Sequence, residues 1–282
     1  MRQLAVVGFG LIGGSIALAA RRNLPSLRIV AVDSDPAVVD TAVRTNLADE
    51  GGETLALAED SDLIVLGAPV LRNIELLQSM ADRLRGEALV TDVGSTKIET
   101  VEAARTLPAR IRFIGGHPIA GAATGGVESV RRDLFQGRPW ILTPLPEGDP
   151  RATRGSDLEA VESFVQHLGA VPCRLAPAEH DRLMAYVSHL PQFAVSALMH
   201  VVGERVGHDG LLLAGNGLRD STRLASSPAG TWRDIASTNA PAINAALDDL
   251  IAALQRLKQD SSSGDELTRV FDSAGRWKGF LG

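Results

Sequence analysis

Along the first two-thirds of the chain, short apolar runs alternate with stretches of helical period. The runs at 3–8, 27–33, 62–68, 88–93 and 112–115 are rich in Val, Ile and Leu and too short for helices, so they predict buried strands. Between them the spacing predicts helices over 11–22, 35–46, 72–84 and 97–105. In the third of these Ile74, Leu77, Met80, Ala81 and Leu84 share one face, and Pro36 suits the first turn of the second. Two later strands, 139–143 and 171–174, flank a helix at 156–168, and 144–155 is a surface loop. Strand alternating with helix implies an α/β fold, a doubly wound, mostly parallel sheet.

After Pro177 the strand signals stop. Residues 179–206 are helical in period, with a break expected near Pro191. Residues 240–259 repeat Ile243, Leu247, Leu250, Ile251 and Leu254 at helical spacing, and a 260–264 linker leads to an amphipathic piece at 266–280. The chain thus reads as an α/β domain over 1–172 and an all-helical domain over 173–282. The helices at 179–206 and 240–259 carry more apolar positions than a small domain can bury, which predicts a homodimer through that domain.

Composition narrows the function. With 282 residues, 45% hydrophobic and 22% charged, the chain can build a sizeable core and is not disordered. A net charge of −6 argues against nucleic acid as a partner. No stretch offers the ~18–20 unbroken apolar residues of a membrane span. Arg2 and the apolar run after it resemble a secretory leader, but Gly8, Gly10, Gly13 and Gly14 interrupt it and favour strand, turn and helix. Cys173, the one cysteine, can form no internal disulfide, and without a Cys/His cluster no metal site is expected. This fits a reducing, cytoplasmic setting.

The glycines carry the first chemistry. Gly8-Phe9-Gly10-Leu11-Ile12-Gly13 is GxGxxG, placed after a strand, opening a helix, and followed 20 residues after Gly13 by Asp33 at the end of the next strand. Gly8 permits the tight turn, Gly10 lets backbone approach a pyrophosphate, Gly13 lets helix and strand pack, and the turn with Leu11 and Ile12 presents helix N-terminal amides to phosphates. Asp33 would accept hydrogen bonds from the adenosine ribose and repel a 2′-phosphate, which favours NAD over NADP.

Two further strand ends carry polar loops. In Thr91-Asp92-Val93-Gly94-Ser95-Thr96-Lys97, Ser95 is either a helix N-cap or a group facing a ligand. In Gly115-Gly116-His117-Pro118, His117 is expected on a constrained loop, either as a general base or as a histidine tied to backbone. The helical part holds His180-Asp181, then Ser188-His189-Leu190-Pro191-Gln192, and later Arg219 and Arg223, expected on one helix face, with Trp232 downstream. Arg223 could hold a carboxylate bidentately or be a solvated charge. His167, His200 and His208 are read as structural.

Together these motifs resemble the prephenate/arogenate dehydrogenase family: GFGLIGGS at 8–15, Asp33, DVGSTK at 92–97, GGHPIAG at 115–121, HDR at 180–182, SHLP at 188–191, LRDSTRLA at 218–225 and TWRDI at 231–235. The resemblance implies a Rossmann-type nucleotide-binding domain, a helical dimerisation domain, and an NAD-dependent oxidative decarboxylation driven by aromatisation of the ring. By position, His117 matches the histidine that deprotonates the substrate hydroxyl. Ser95 matches the serine that bonds to that histidine and the hydroxyl, and Arg223 the arginine that holds a substrate carboxylate. His189 and Trp232 match positions lining or supporting the same cleft.

Two positions depart from common members of the family. Gln192 stands where many have a second histidine near the substrate side chain, and Ala123 where some have an acidic residue. Both bear on telling the keto acid prephenate from the amino acid arogenate, and Gln192 offers donor and acceptor alike. The reading taken is prephenate, with arogenate or both as the alternative. A different two-domain Rossmann dehydrogenase would lack the pairing of HPIAG with LRDSTR. A non-catalytic NAD-binding protein would have no need of Ser95, His117 and Arg223 together.

Overall fold

The apolar runs become the strands β1 (Gln3–Val7), β2 (Arg28–Val32), β3 (Glu50–Gly52), β4 (Leu63–Leu66), β5 (Ala88–Asp92), β6 (Ile111–Pro118), β7 (Pro139–Thr143) and β8 (Val171–Arg174). The computed structural model describes residues 1–121, 125–260 and 264–281; Ala123 and most of the 260–264 linker lie outside them. Among the described residues these strands form one sheet in the order β3-β2-β1-β4-β5-β6-β7-β8. All neighbours run parallel except β6 and β7, which pair antiparallel from Gly115 opposite Thr143 to Pro118 opposite Trp140. The reversal of strand order between β1 and β4 opens the crevice where such sheets bind ligands.

The helices α1 (Leu11–Asn23), α2 (Pro36–Arg44), α3 (Val70–Arg83), α4 (Ile98–Ala104) and α5 (Gly155–His167) cover the two faces. Each face has its own core. One joins Leu4, Val6, Ile16 and Leu63 to Trp140 and Phe164, the other Ala5, Val7, Ile64 and Leu66 to Leu77 and Met80. Strands buried on both faces need no alternation, which is why their sequence is a continuous apolar run. The short β3 was not expected, because Glu50-Gly51-Gly52 carries no apolar residue. His117 lies within β6, opposite Ile141, rather than on a loop.

The remaining helices are α6 (Pro177–Met184), α7 (Leu190–Leu211), α8 (Asn216–Ser221), α9 (Ala229–Thr238), α10 (Ala240–Gln259) and α11 (Asp265–Lys278). The break expected near Pro191 takes the form of a wide π-type turn, Ala185–His189, directly before α7, which places Pro191 in the first turn where its missing N–H costs nothing. Gly207, at φ 61°, breaks α7 a second time.

Two compact units are interleaved in the chain, where the sequence pattern predicts a single changeover near residue 172. One is Met1–Met184 with Ser227–Asn239, the other Ala185–Ser226 with Ala240–Gly282. The segment 227–239 belongs with the sheet because Thr238 Oγ1 meets Thr96 Oγ1 at 2.8 Å and Asn239 donates to the Asp181 carbonyl at 2.9 Å. Among the described residues no helix is long and apolar enough to cross a membrane.

Candidate functional site

Gly8 turns the chain at φ 91°, and a Cβ there would lie 2.5 Å from Ala68 N. One on Gly13 would lie 2.1 Å from Gly8 O, so that glycine lets α1 sit on the end of β1. A Cβ on Gly10 would meet nothing within 4 Å, because Gly10 faces the open crevice, where a phosphate can approach the backbone. Gly10 is the N-cap of α1 and no side chain caps that helix, so its first amides remain available to an anion. Leu11 packs into the core while Ile12 is half-buried. Asp33 Oδ2 accepts from Phe9 N at 2.7 Å and Oδ1 from Asp35 N at 3.0 Å, which fixes its carboxylate beside the turn. Gly8, Gly10, Asp33 and Ser34 line one cavity of about 300 Å³. Open glycines, free amides and an anchored carboxylate fit the diphosphate and ribose of a dinucleotide.

The second cluster is built at the ends of β5 and β6. Asp92 and Lys97 form an ion pair that is fully buried. Asp92 Oδ1 accepts from Gly116 N at 2.9 Å and Oδ2 from Gly94 N at 2.8 Å, while Lys97 Nζ donates to the Gly116 carbonyl at 2.8 Å. Both backbone groups of Gly116 are thereby held, and Gly116 precedes His117. Burial pushes the Lys97 ammonium below its ordinary range, and the Asp92 carboxylate opposes that shift.

The His117 side chain enters a line of rings. Its Nδ1 lies 2.8 Å from His180 Nε2, and His180 Nδ1 lies 2.7 Å from Asp181 Oδ1. The Asp181 carboxylate also accepts from Lys97 N at 2.7 Å and Ile98 N at 2.9 Å. Asp181 therefore caps α4 from 84 residues downstream. Donor and acceptor roles follow in order. A carboxylate that takes two backbone N–H groups acts as an acceptor, so His180 donates from Nδ1. Burial, followed by the hydrogen bond to Asp181 with the opposite effect, leaves the His180 pKa below its ordinary value, so that ring is neutral and accepts at Nε2. His117 must then donate from Nδ1, and in the neutral ring Nε2 carries the lone pair.

Ser95 is half-buried, and its hydroxyl makes no hydrogen bond to a described residue; the partner at His117 Nδ1 is His180. Trp232 is half-buried on α9. In the second unit His189 is 1% exposed, at the end of the π-type turn, and Gln192 is 4% exposed in α7. Gln192 Nε2 donates to the Leu224 carbonyl at 2.8 Å and to Ser196 Oγ at 3.1 Å. Arg223 is exposed at the start of a 3₁₀ turn, Arg223–Ser226. It does not share a helix face with Arg219, because α8 ends at Ser221 between them. His167 and His208 are exposed surface histidines. Sequence reasoning gave no individual role to His180, Asp181, Asp92 or Lys97. The adjacent His180-Asp181 pair and the lysine five residues after Asp92 were the available signals.

Residues 16–173 match the family model described as prephenate dehydrogenase, nucleotide-binding domain, and residues 176–273 match prephenate dehydrogenase, dimerization domain. The chain is 31% identical over 278 residues to the prephenate dehydrogenase of Bacillus subtilis, covering 96% of this chain and 74% of that protein. Among solved structures it is similar to Aquifex aeolicus prephenate dehydrogenase in complex with hydroxyphenyl propionate and NAD+. That match has a TM-score of 0.90 and 30% identity, over 100% of this chain and 99% of the other. It is also similar to Synechocystis arogenate dehydrogenase, with a TM-score of 0.83 and 30% identity, over 99% and 100% of the two chains.

Proposed function

The chain belongs to the prephenate dehydrogenase family, and from that premise we propose that it converts prephenate to 4-hydroxyphenylpyruvate and carbon dioxide with NAD as oxidant. The observation that carries the reading is the orientation of His117, whose ring is set by His180 and Asp181 so that Nε2 is left as the basic atom.

The Gly8–Gly13 turn with the first amides of α1 would hold the phosphates of NAD and Asp33 its adenosine ribose, and the bound nicotinamide would supply the acceptor for the hydride lost by the ring carbon that bears the hydroxyl. His117 Nε2 takes the hydroxyl proton as the carbonyl character of that carbon develops. Ser95 donates to or accepts from the same hydroxyl and keeps it facing the histidine. Arg223 holds a substrate carboxylate, and Trp232 and His189 shape or support the pocket around the ring. The ring carboxylate leaves as carbon dioxide because aromatisation makes that loss favourable.

Arogenate is the alternative substrate. Parallel kcat/KM measurements on prephenate and arogenate, each with NAD and NADP, test the whole reading. Turnover of prephenate with NAD is expected; no turnover of either substrate with either cofactor overturns it.

The working form proposed is a homodimer through the second unit. The match to the dimerization-domain model supports this, as do Val201, Leu213, Leu254, Phe271 and Trp277, all exposed on that unit. Light scattering at micromolar concentration should give twice the chain mass, and a stable monomer would contradict it.

A further inference from the structure

The sheet splits beside β6. Residues 115–118 of that strand pair with β7, but the register stops at Gly115 opposite Thr143, and residues 111–114 pair only with β5. The chain leaving β7 covers the open edge as a loop, with Arg151 donating to the Ile111 carbonyl at 3.1 Å, before it enters α5. A cavity of about 180 Å³ remains in the split, away from the glycine turn.

Its walls are unusually cationic for an acidic protein. Arg112, Arg151, Arg154 and Asp157 are the charged residues lining it. Arg112 pairs with Asp157 at 2.9 Å and with Glu87 at 3.2 Å. Among the described residues Arg151 and Arg154 make no ion pair, so two guanidinium groups lack a counter-charge. Arg154 is the N-cap of α5, a helix of 13 residues whose first turn no side chain caps. Amides and dipole there add to the same sign of potential. Thr143 also lines the cavity and is 1% exposed, with its Oγ1 packed over Gly115 and without a hydrogen-bond partner among the described residues. The rest of the wall is apolar, with Val101, Phe113, Ile114 and Leu145.

We propose that this cleft is a second binding site, for a small carboxylate bearing an apolar group, separate from the substrate and dinucleotide sites. The carboxylate meets Arg151, Arg154 and the start of α5, and the apolar group lies on Val101 and Leu145. Thr143 faces Gly115 across the strand pair, two residues before His117, so occupancy bears on the strand that carries the histidine.

Calorimetric titration of the full-length protein with 4-methylpentanoate tests the site. Wild type should bind with a Kd below about 1 mM. Arg223→Ala should bind equally well, while Arg154→Gln, a change at an exposed side chain without an ion pair, should weaken binding about tenfold, the loss of one charge-assisted hydrogen bond. Unchanged thermal unfolding of Arg154→Gln shows that the loss is local. Three results overturn the proposal: no binding to wild type; binding abolished by Arg223→Ala but untouched by Arg154→Gln, which places the ligand in the substrate site; or inorganic phosphate binding at least as tightly as the carboxylate, which rejects the ligand class.

Discussion

His180 Nε2 stands 2.8 Å from Nδ1 of His117, and behind His180 the carboxylate of Asp181 is fixed by two backbone amides of α4. The line has a direction, since each acceptor dictates the donor next to it. Asp181→Asn should loosen it. The oxygen facing His180 Nδ1 also accepts from Lys97 N and the other accepts from Ile98 N, so an asparagine must set its NH2 against an amide N–H of α4, and the two rings lose the carboxylate that fixes their tautomers. We expect kcat to fall by about 10²–10⁴-fold, the contribution of a positioned base, with KM little changed. A fall in KM-dependent binding alone, with kcat intact, would show that Asp181 only caps α4.

Removing the proposed base, His117, is the companion test. His117→Asn should lower kcat over the same range of about 10²–10⁴-fold while the dinucleotide still binds, because the glycine turn is untouched. Thermal unfolding and turnover on one preparation decide the matter. A well-folded variant with wild-type turnover would remove His117 from the chemistry.

Stability should carry the signature of His180. Its folded-state pKa lies below the ordinary histidine value, with burial as the leading cause. As pH falls below about 6.5, the unfolded chain binds the proton first, so stability declines there and is retained at higher pH. Urea midpoints at pH 8 and pH 5.5 should differ in wild type, and His180→Asn should shrink the difference. An unchanged difference would assign the acid sensitivity to other groups.

Much of this was legible in sequence, for identifiable reasons. Strands buried on both faces announce themselves as unbroken apolar runs, and a glycine turn between strand and helix has fixed spacing, so the β1 to α1 turn and Asp33 emerge from local pattern alone. β3 does not, because three residues without an apolar side chain carry no periodicity. Nor does the capping of α4 by Asp181 or the Gly116 clamp by Asp92 and Lys97, which join residues far apart in the chain. His117 looked like a loop residue because glycines and a proline surround it. The glycines are instead needed by close approach: a Cβ on Gly116 would sit 2.5 Å from Asp92 O.

The buried pair makes a sharper stability test than any surface bridge. Lys97→Met leaves Asp92 charged and unpaired in the core, and should cost about 3–5 kcal/mol by chemical denaturation. Asp92→Asn should recover part of that loss in the Lys97→Met background, because no uncompensated charge remains. If the two losses simply add, Asp92 and Lys97 do not act as a pair in solution.

We assign the choice of dinucleotide to Asp33, and its two proposed roles can be separated. One oxygen accepts from Phe9 N and the other from Asp35 N, so the side chain braces the glycine turn as well as offering charge to a ribose. Asp33→Asn keeps an acceptor for Phe9 N and removes the charge, whereas Asp33→Ala removes both. With Asn, the thermal midpoint should stay near wild type while kcat/KM with NAD falls about tenfold, one charge-assisted hydrogen bond. NADP should gain in relative terms, because its 2′-phosphate no longer meets a carboxylate; Arg72 and Arg83, which line the same cavity, would add to that gain. With Ala, both stability and NAD use should drop, since the turn loses its brace. Steady-state kinetics with both cofactors on the three proteins check this, and a wild type that uses NADP as well as NAD would refute the assignment of Asp33.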